Sequence, residues 1–499
     1  MFDSHQKILI FRMARVVQKF VSHHPELFSQ HALVVTSCRC KGTWKQRILR
    51  REDRKDRVVQ YAAENAKQAE RVYVWGCATT GALGIQTYLR PDKRQSAIPR
   101  QKRPARLKFT DIHNIKVKSV ACGYGFTMFT ARTPKGHRLF GTGINTDSQL
   151  GFHEYPPGSG RVLDIIVEPV PISLPLLSPD TRVQDVSCGR SHTVVITDKE
   201  GVFSLGNNSS GQCGRSVVED EVYAKNPTIN KIHDLPDSVV KVVCGQDHTL
   251  FLTDTGQVYS CGLGADGQTG LGSYKNVSVP TLVEGDIKDE KIVNIASTAD
   301  CVLAVSDKGD VFGWGNSEYN QLSMVTDNAQ VSEPKHLPLR DCGKIIKAAA
   351  AGSSCAILND MGEVFVWGFG ILGKGPVLEA ADRPQKIPPT LFGCHELQPE
   401  SKVVDIVCGM GHFVAMTDTG DVYSWGKNRE GCLGLGKTED QFFPLKFTIQ
   451  PCLFTCGKSS VNARSSPHYP VWGGSHGGAL QVFLLTGTTW RSQQNFVLC

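Results

Sequence analysis

The chain has 499 residues, a formal charge of +7 and a hydrophobic share of 40%. No apolar run approaches the roughly 18 residues of a helical membrane span. The 17 cysteines and 15 histidines show no zinc-ligand spacing, since Cys38-x-Cys40 alone supplies too few ligands.

The charge is unevenly placed. Residues 1–57 carry 13 Lys or Arg and five Asp or Glu, and the first 50 residues contain only Asp3 and Glu26 as acids. Within them, residues 7–24 read KILIFRMARVVQKFVSHH, with apolar positions recurring every three or four residues. A basic, acid-poor, amphipathic N-terminus is the pattern of mitochondrial import. A solvated surface helix or basic arm is the alternative. Without an uninterrupted apolar core and a cleavage site, a secretory signal does not fit.

From Arg71 a strand-like run ending in glycine appears seven times, each followed by a turn of small and polar residues. Examples are RVYVWGCATTGALG at Arg71, GVFSLGNNSSGQCG at Gly201 and DVYSWGKNREGCLG at Asp421. The closing glycines are Gly76, Gly143, Gly206, Gly262, Gly315, Gly368 and Gly426. After the first copy comes a basic, proline-interrupted stretch containing Arg90, Lys93, Arg94, Arg100, Lys102, Arg103, Arg106 and Lys108 against Asp92 alone. It reads as an extended, solvated loop able to neutralise phosphates. It lacks aromatics for base stacking, so a loop that touches nothing is the alternative. After the second copy comes a further insertion, FHEYPPGSGRVLDIIVE, starting at Phe152.

Between these copies runs a second recurring piece, Val-x-x-Val-x-Cys-Gly-x-x-His. It places Cys188 with His192, Cys244 with His248, and Cys408 with His412, while Cys122–Gly123 begins the same pattern. The cysteines occupy one site in different units, where ring geometry should hold them apart, so they read as small buried residues and not as disulfides. The histidines, repeated without a shared nucleophile or acid, read as structural turn residues; no catalytic residue and no cofactor are expected. Asp-x-Gly hairpins and a final proline-containing strand (VPTLV at Val279, EPKHL at Glu333, RPQKI at Arg383, FPLKF at Phe443 and NPTI at Asn226) complete each unit. Proline cannot donate to a ladder, so that strand belongs at the outer edge.

Four antiparallel strands per unit predict an all-β fold: a seven-bladed β-propeller of four-stranded antiparallel blades. It would span residues 58–449, behind a basic N-terminal extension of residues 1–57. An atypical, poorly ordered tail would follow at residues 450–499. That tail lacks a clean copy of the inner strands that the first unit needs, and residues 482–485 are its one later apolar run able to pair. In this arrangement the glycine turns, the insertions after them and the Cys-Gly-x-x-His turns share one face, where Asp247 and Asp266 are candidate contact acids.

The order Cys-Gly-x-x-His, Thr-Asp-x-Gly-x-Val-Tyr-x-Trp-Gly, Gly-x-Leu-Gly resembles the regulator of chromosome condensation repeats over residues 71–449. The stretch CGQDHTLFLTDTGQVYSCGLGADGQTGLG from Cys244 is most similar to the mitochondrial, G-exchanging branch of that family. The resemblance implies guanine-nucleotide exchange on a GTPase, by binding and without covalent chemistry. The implied target is a dynamin-like GTPase of mitochondrial inner-membrane fusion, with the protein in the matrix or peripheral to the inner membrane. The rival is an RNA-associated scaffold that meets mitochondrial large-subunit rRNA and assembly proteins. A nuclear or cytosolic adaptor is a third reading. Exchange in the family uses a β-wedge from one blade. Pro156, Pro157, Gly158, Ser159, Gly160 and Arg161, at the turn of the second insertion, are the candidate wedge.

Two motifs mimic nucleotide sites. GCLGLGKT at Gly431 matches a phosphate-binding loop, and Gly262-x-Gly264-x-x-Gly267 a dinucleotide fingerprint. Both require a following helix, where the sequence predicts repeat turns and an edge strand.

Overall fold

The computed structural model describes residues 71–447 except Arg90, residues 92–95, Lys135, Asp237 and Leu378. It also describes residues 480–485 and 496–498, as backbone strands. The basic N-terminal segment, Arg90, Lys93, Arg94 and most of the tail lie outside the described residues.

The fold is an all-β propeller of four-stranded antiparallel blades. Six blades are each made from one contiguous run of chain, in order residues 116–172, 183–232, 239–282, 292–336, 345–386 and 403–447. The third, for example, comprises Val239–Cys244, His248–Thr253, Val258–Gly262 and Val277–Leu282, paired in chain order. The expectation of seven like blades is therefore corrected: six sheets are contiguous blades, and the seventh four-stranded sheet is composite. The sheet of the first signature is assembled differently. Its strand Arg71–Cys77 instead pairs with Leu480–Leu485, Tyr73 facing Phe483 and Val74 facing Val482, in a composite sheet completed by Phe496–Leu498 and Arg100–Arg106. Two stretches of the divergent tail are thus strands, including the apolar run at residues 482–485.

The composite sheet also revises the basic loop. Arg100–Arg106 is its outer strand, with Pro104 where the other outer strands carry their prolines. Proline marks an edge strand here as it does in Val277–Leu282, Gln330–His336, Ala380–Lys386 and Gln441–Phe447. In the second blade the outer strand is only Asn230–Ile232, so the NPTI run precedes it and lies outside the ladder.

Several blades are locked to the one before them by signature residues. Trp75, Trp314, Trp367 and Trp425 are fully buried. The indole N–H of Trp314 donates to the Gln268 carbonyl at 3.0 Å, that of Trp367 to Gln321 at 2.7 Å and that of Trp75 to Cys432 at 2.8 Å. Each acceptor belongs to the neighbouring glycine turn. Second-strand threonines repeat the device, Thr249 Oγ1 donating to the Gln212 carbonyl at 2.7 Å and Thr193 Oγ1 to Gln149 at 2.9 Å. Within the turns, Asn145, Asn208 and Asn428 each accept, at Oδ1, the amide five residues on.

The closing glycines are needed for their backbone. Gly262 sits at φ +112°, where pairing with the outer strand slips register, and an added Cβ would lie 2.5 Å from the Asp247 carbonyl oxygen. A side chain there meets both strain and a clash.

Candidate functional site

The histidine turns are buried against neighbouring blades. His192 Nε2 lies 3.0 Å from Thr249 Oγ1 and His248 Nε2 lies 3.2 Å from Ser297 Oγ, both partners being on the following blade. Burial pushes His192 and His248 down to about 3 and His412 down to about 4. Neutral, sealed imidazoles are poorly matched to acid–base work near pH 7. The same turns bring Cys122, Cys188 and Cys244 to a shared axial cavity of about 130 Å³, together with Tyr124, Ser187, Ser297 and Thr298. The ring therefore gathers these thiols at the axis, and Cys188, Cys244 and Cys408 are not joined in disulfides. Burial raises Cys188, and raises Cys244 and Cys408 to about 12, which keeps these three thiols protonated near pH 7. Among the described residues no group of His, Cys, Asp and Glu has a metal-site arrangement.

The phosphate-loop match is consumed by the fold. Gly436 N–H donates to the Lys102 carbonyl of the composite sheet at 2.8 Å, and Leu433 N–H to Asn428 Oδ1 at 3.0 Å. Gly434 N–H is taken by Gly431, and Lys437 Nζ donates to Gln441 Oε1 at 3.0 Å. Strand Gln441–Phe447 follows where a phosphate loop needs a helix. The Gly264 amide is likewise held by Asn276. Lys437→Ala is accordingly expected to leave nucleotide binding at background level; equilibrium dialysis with labelled GTP and ATP checks this, and tight wild-type binding lost in the variant would restore the motif.

The basic residues are largely committed to partners or dispersed. Arg100 makes a two-pronged contact with Glu430 at 2.8 and 3.3 Å, and Arg106 pairs with Asp111 at 2.8 Å. Lys102 and Arg103 remain exposed on the outer strand, and Lys108 starts the short helix Lys108–Ile112.

The insertion at Phe152 does form a small hairpin. Glu154 bridges Val162, Tyr155 N–H donates to the Arg161 carbonyl at 3.0 Å, and Leu163 N–H to His153 at 2.9 Å. Gly158 and Gly160 take positive φ at its tip, and the Gly158 amide donates to Glu154 Oε2. Pro156, Pro157, Gly158, Ser159, Gly160 and Arg161 are all exposed, as is Tyr155.

The glycine turns and histidine turns share a face, as the strand order requires, and on it they enclose a crater of about 560 Å³. It draws on four consecutive blades, with Asp266, Asp300, Glu318, Tyr319, Phe369 and Lys427 in its wall and Met410 beside them. Asp266 accepts from Gln330 Nε2 at 2.6 Å and Asp300 from Gln268 Nε2 at 3.1 Å. Burial, and then the neighbouring Asp266, push Asp300 up to about 6. Close by, Asp247 is clamped by Arg190 through contacts of 2.5 and 3.2 Å, yet burial still holds its carboxyl above the usual range. Asp247 and Asp266 were legible as acids on this face. Asp300, Tyr319 and Phe369 were missed. The available signal was aspartate just before the histidine position in the third and fourth blades only, where other blades have Gly125, Ser191, Ser353 or Gly411.

Six contiguous blades and a composite closing sheet form an all-β propeller with a loop-built face, an architecture that carries binding surfaces on its loops. Models of the regulator of chromosome condensation (RCC1) repeat match residues 70–130, 137–196, 199–252, 255–305, 308–358 and 419–460, and a second model of the same repeat matches 183–212, 239–268 and 403–432. The chain belongs to the RCC1 repeat family. It is 50% identical over 410 residues to the RCC1-like G exchanging factor-like protein of Homo sapiens, covering 80% of this chain and 88% of that protein. It is 31% identical over 305 residues to the secretion-regulating guanine nucleotide exchange factor of Mus musculus, covering 59% and 61%. The crystal structure of human WBSCR16 superposes with a TM-score of 0.71 at 51% identity, covering 76% of this chain and 95% of that one. Saccharomyces cerevisiae Prp20p shares the fold, at TM-score 0.59 and 21% identity over 77% and 87% of the chains.

Proposed function

We propose that this protein is a guanine-nucleotide exchange factor that works by binding a GTPase with its turn face. The carrying observation is the 50% identity, across most of both chains, to a relative named as a G exchanging factor-like protein. The face offers suitable parts, a projecting hairpin at residues 152–163 and an acidic crater. Exchange needs a shaped wedge that stabilises the nucleotide-free GTPase, after which GTP enters by mass action. A mitochondrial, dynamin-like fusion GTPase is the proposed target, and the basic amphipathic residues 7–24 support a matrix location. Deleting residues 2–57 is expected to abolish mitochondrial accumulation of a fluorescent fusion; import of the truncated form would remove that location.

Replacing residues 156–161 by a short Gly/Ser link is expected to reduce stimulated GDP release at least about tenfold, equivalent to about 1.4 kcal/mol of transition-state stabilisation, without moving the unfolding midpoint. The hairpin buries little, so folding should not depend on it. The readout is fluorescent-GDP release from candidate mitochondrial GTPases, and wild-type exchange by the variant would displace the hairpin as wedge. The second reading, an RNA-associated scaffold in large-subunit ribosome biogenesis, draws on exposed Lys102 and Arg103. Neutralising Arg100, Lys102, Arg103 and Arg106 would weaken RNA association and flatten its salt dependence if that reading holds. With Arg100 and Arg106 already paired to carboxylates, the geometry favours exchange.

A further inference from the structure

We propose that the crater between the third and sixth blades is a seat for one cationic side chain, a guanidinium or ammonium, projecting from a protein partner. The proposal rests on the exchange-factor reading only for the identity of that partner.

A missing piece of chain opens the crater. From closing glycine to final turn position, the glycine turn spans Gly262 to Gly270 in the third blade, Gly315 to Ser323 in the fourth and Gly426 to Gly434 in the sixth. In the fifth blade it runs only from Gly368 to Gly373, three residues fewer. A consequence shows in the core. The Trp425 indole, which packs against Gly373 as Trp314 packs against Gly270, has no acceptor among the described residues, whereas Trp75, Trp314 and Trp367 all have one. Shortening also leaves Phe369 48% exposed beside Tyr319 at 43%, their rings stacked at 5.9 Å and 23°. Two aromatic rings held together on the wall of a polar cavity offer a surface on which a cation, above all a planar guanidinium, can lie.

The charges opposite are fixed by neutral donors. Elsewhere this protein pairs carboxylates with cations, as in Glu430 with Arg100, Glu221 with Arg215 and Asp421 with Lys446. In the crater Asp266 is held by Gln330 and Asn316, and Asp300 by Gln268. Side-chain amides orient the carboxylates without cancelling their charge. Asp300 Oδ2 and the Glu318 carboxylate have no protein donor among the described residues. Lys427 is the single cation in the wall, against Asp266, Asp300 and Glu318. Arg190 is paired with Asp247, and its charge is only the last of the influences on Asp300. Two like-charged carboxylates kept close and partly desolvated cost stability, and a bound cation relieves that cost.

The test uses the purified chain and N-acetyl-arginine amide as probe, with N-acetyl-citrulline amide as its neutral isostere, followed by ligand-observed NMR. Saturable binding of the arginine probe, absent for citrulline, is expected. Asp300→Asn and Phe369→Ala should each weaken it about tenfold, in line with a desolvated charge or cation–π contact. Asp300→Asn keeps the acceptor for Gln268 while removing the charge, so it should raise Tm at pH 7.5 as it loses the probe; a merely structural aspartate would lower it. Equal binding of the two probes, or wild-type affinity in both variants, overturns the seat. Loss of GDP-release activity in the variants without any arginine binding also overturns it, leaving the face as the exchange surface. Arginine binding by a chain that accelerates no GTPase upholds the seat and removes the exchange reading instead.

Discussion

Val482→Pro is expected to open the ring. Strand Leu480–Leu485 lies between Arg71–Cys77 and Phe496–Leu498, so its amides serve ladders on both sides. Proline removes one of those donors and forces its ring into a central strand, a cost of about 3 kcal/mol or more. The effect extends beyond one hydrogen bond because this pairing joins segments from the two ends of the repeat array. Without it, Arg71–Cys77 keeps only its outer partner, and Trp75, packed against the sixth blade through Cys432 and Phe447, loses its support. Urea unfolding followed by tryptophan fluorescence should show a lower midpoint and a broader transition. An unchanged midpoint would mean that the terminal strand contributes nothing to closure.

Gly245→Ala is expected to be nearly as damaging, for a steric reason. A Cβ at Gly245 would stand 2.0 Å from His248 Cε1 and 2.6 Å from the Ala299 carbonyl oxygen of the next blade. His248 cannot swing away, since it is fully buried and bonded to Ser297, and the carbonyl is backbone. Overpacking of this kind costs about 1–3 kcal/mol and more when neither neighbour can yield. Gly272→Ala is the contrast: nothing lies within 4 Å of its Cβ, so only its φ of +70° resists, at about 1 kcal/mol. The double variant Gly245→Ala/His248→Ala should recover part of the loss, because one of the two clashes is gone. A Gly245→Ala protein as stable as Gly272→Ala would refute the close packing of the turn under the imidazole. The pairing of glycine and histidine in Cys-Gly-x-x-His is explained by this contact: the ring lies over the glycine, where a side chain would clash with it.

The sequence by itself determined the blade. Gly262 and its equivalents, the Asp-x-Gly hairpins and the edge prolines are local requirements of backbone dihedral and missing donors, and local requirements can be read from residue order. It also disposed of the phosphate-loop mimic, because the residues after Lys437 predict a strand. Tertiary structure decided what depends on which blade neighbours which. The residues from Arg100 to Arg106 look like a charged loop in sequence; they become an outer strand because Arg71–Cys77 offers them an open edge, which then spends Arg100 on Glu430 of the sixth blade. The composite sheet joins segments roughly four hundred residues apart by number, and no local periodicity encodes a partner at that distance. The crater is of the same kind. Asp266, Asp300, Tyr319 and Phe369 come from three different repeats. They meet because the ring curves successive turns toward the axis and because one turn is three residues short, so the site belongs to the circle of blades and to no single repeat.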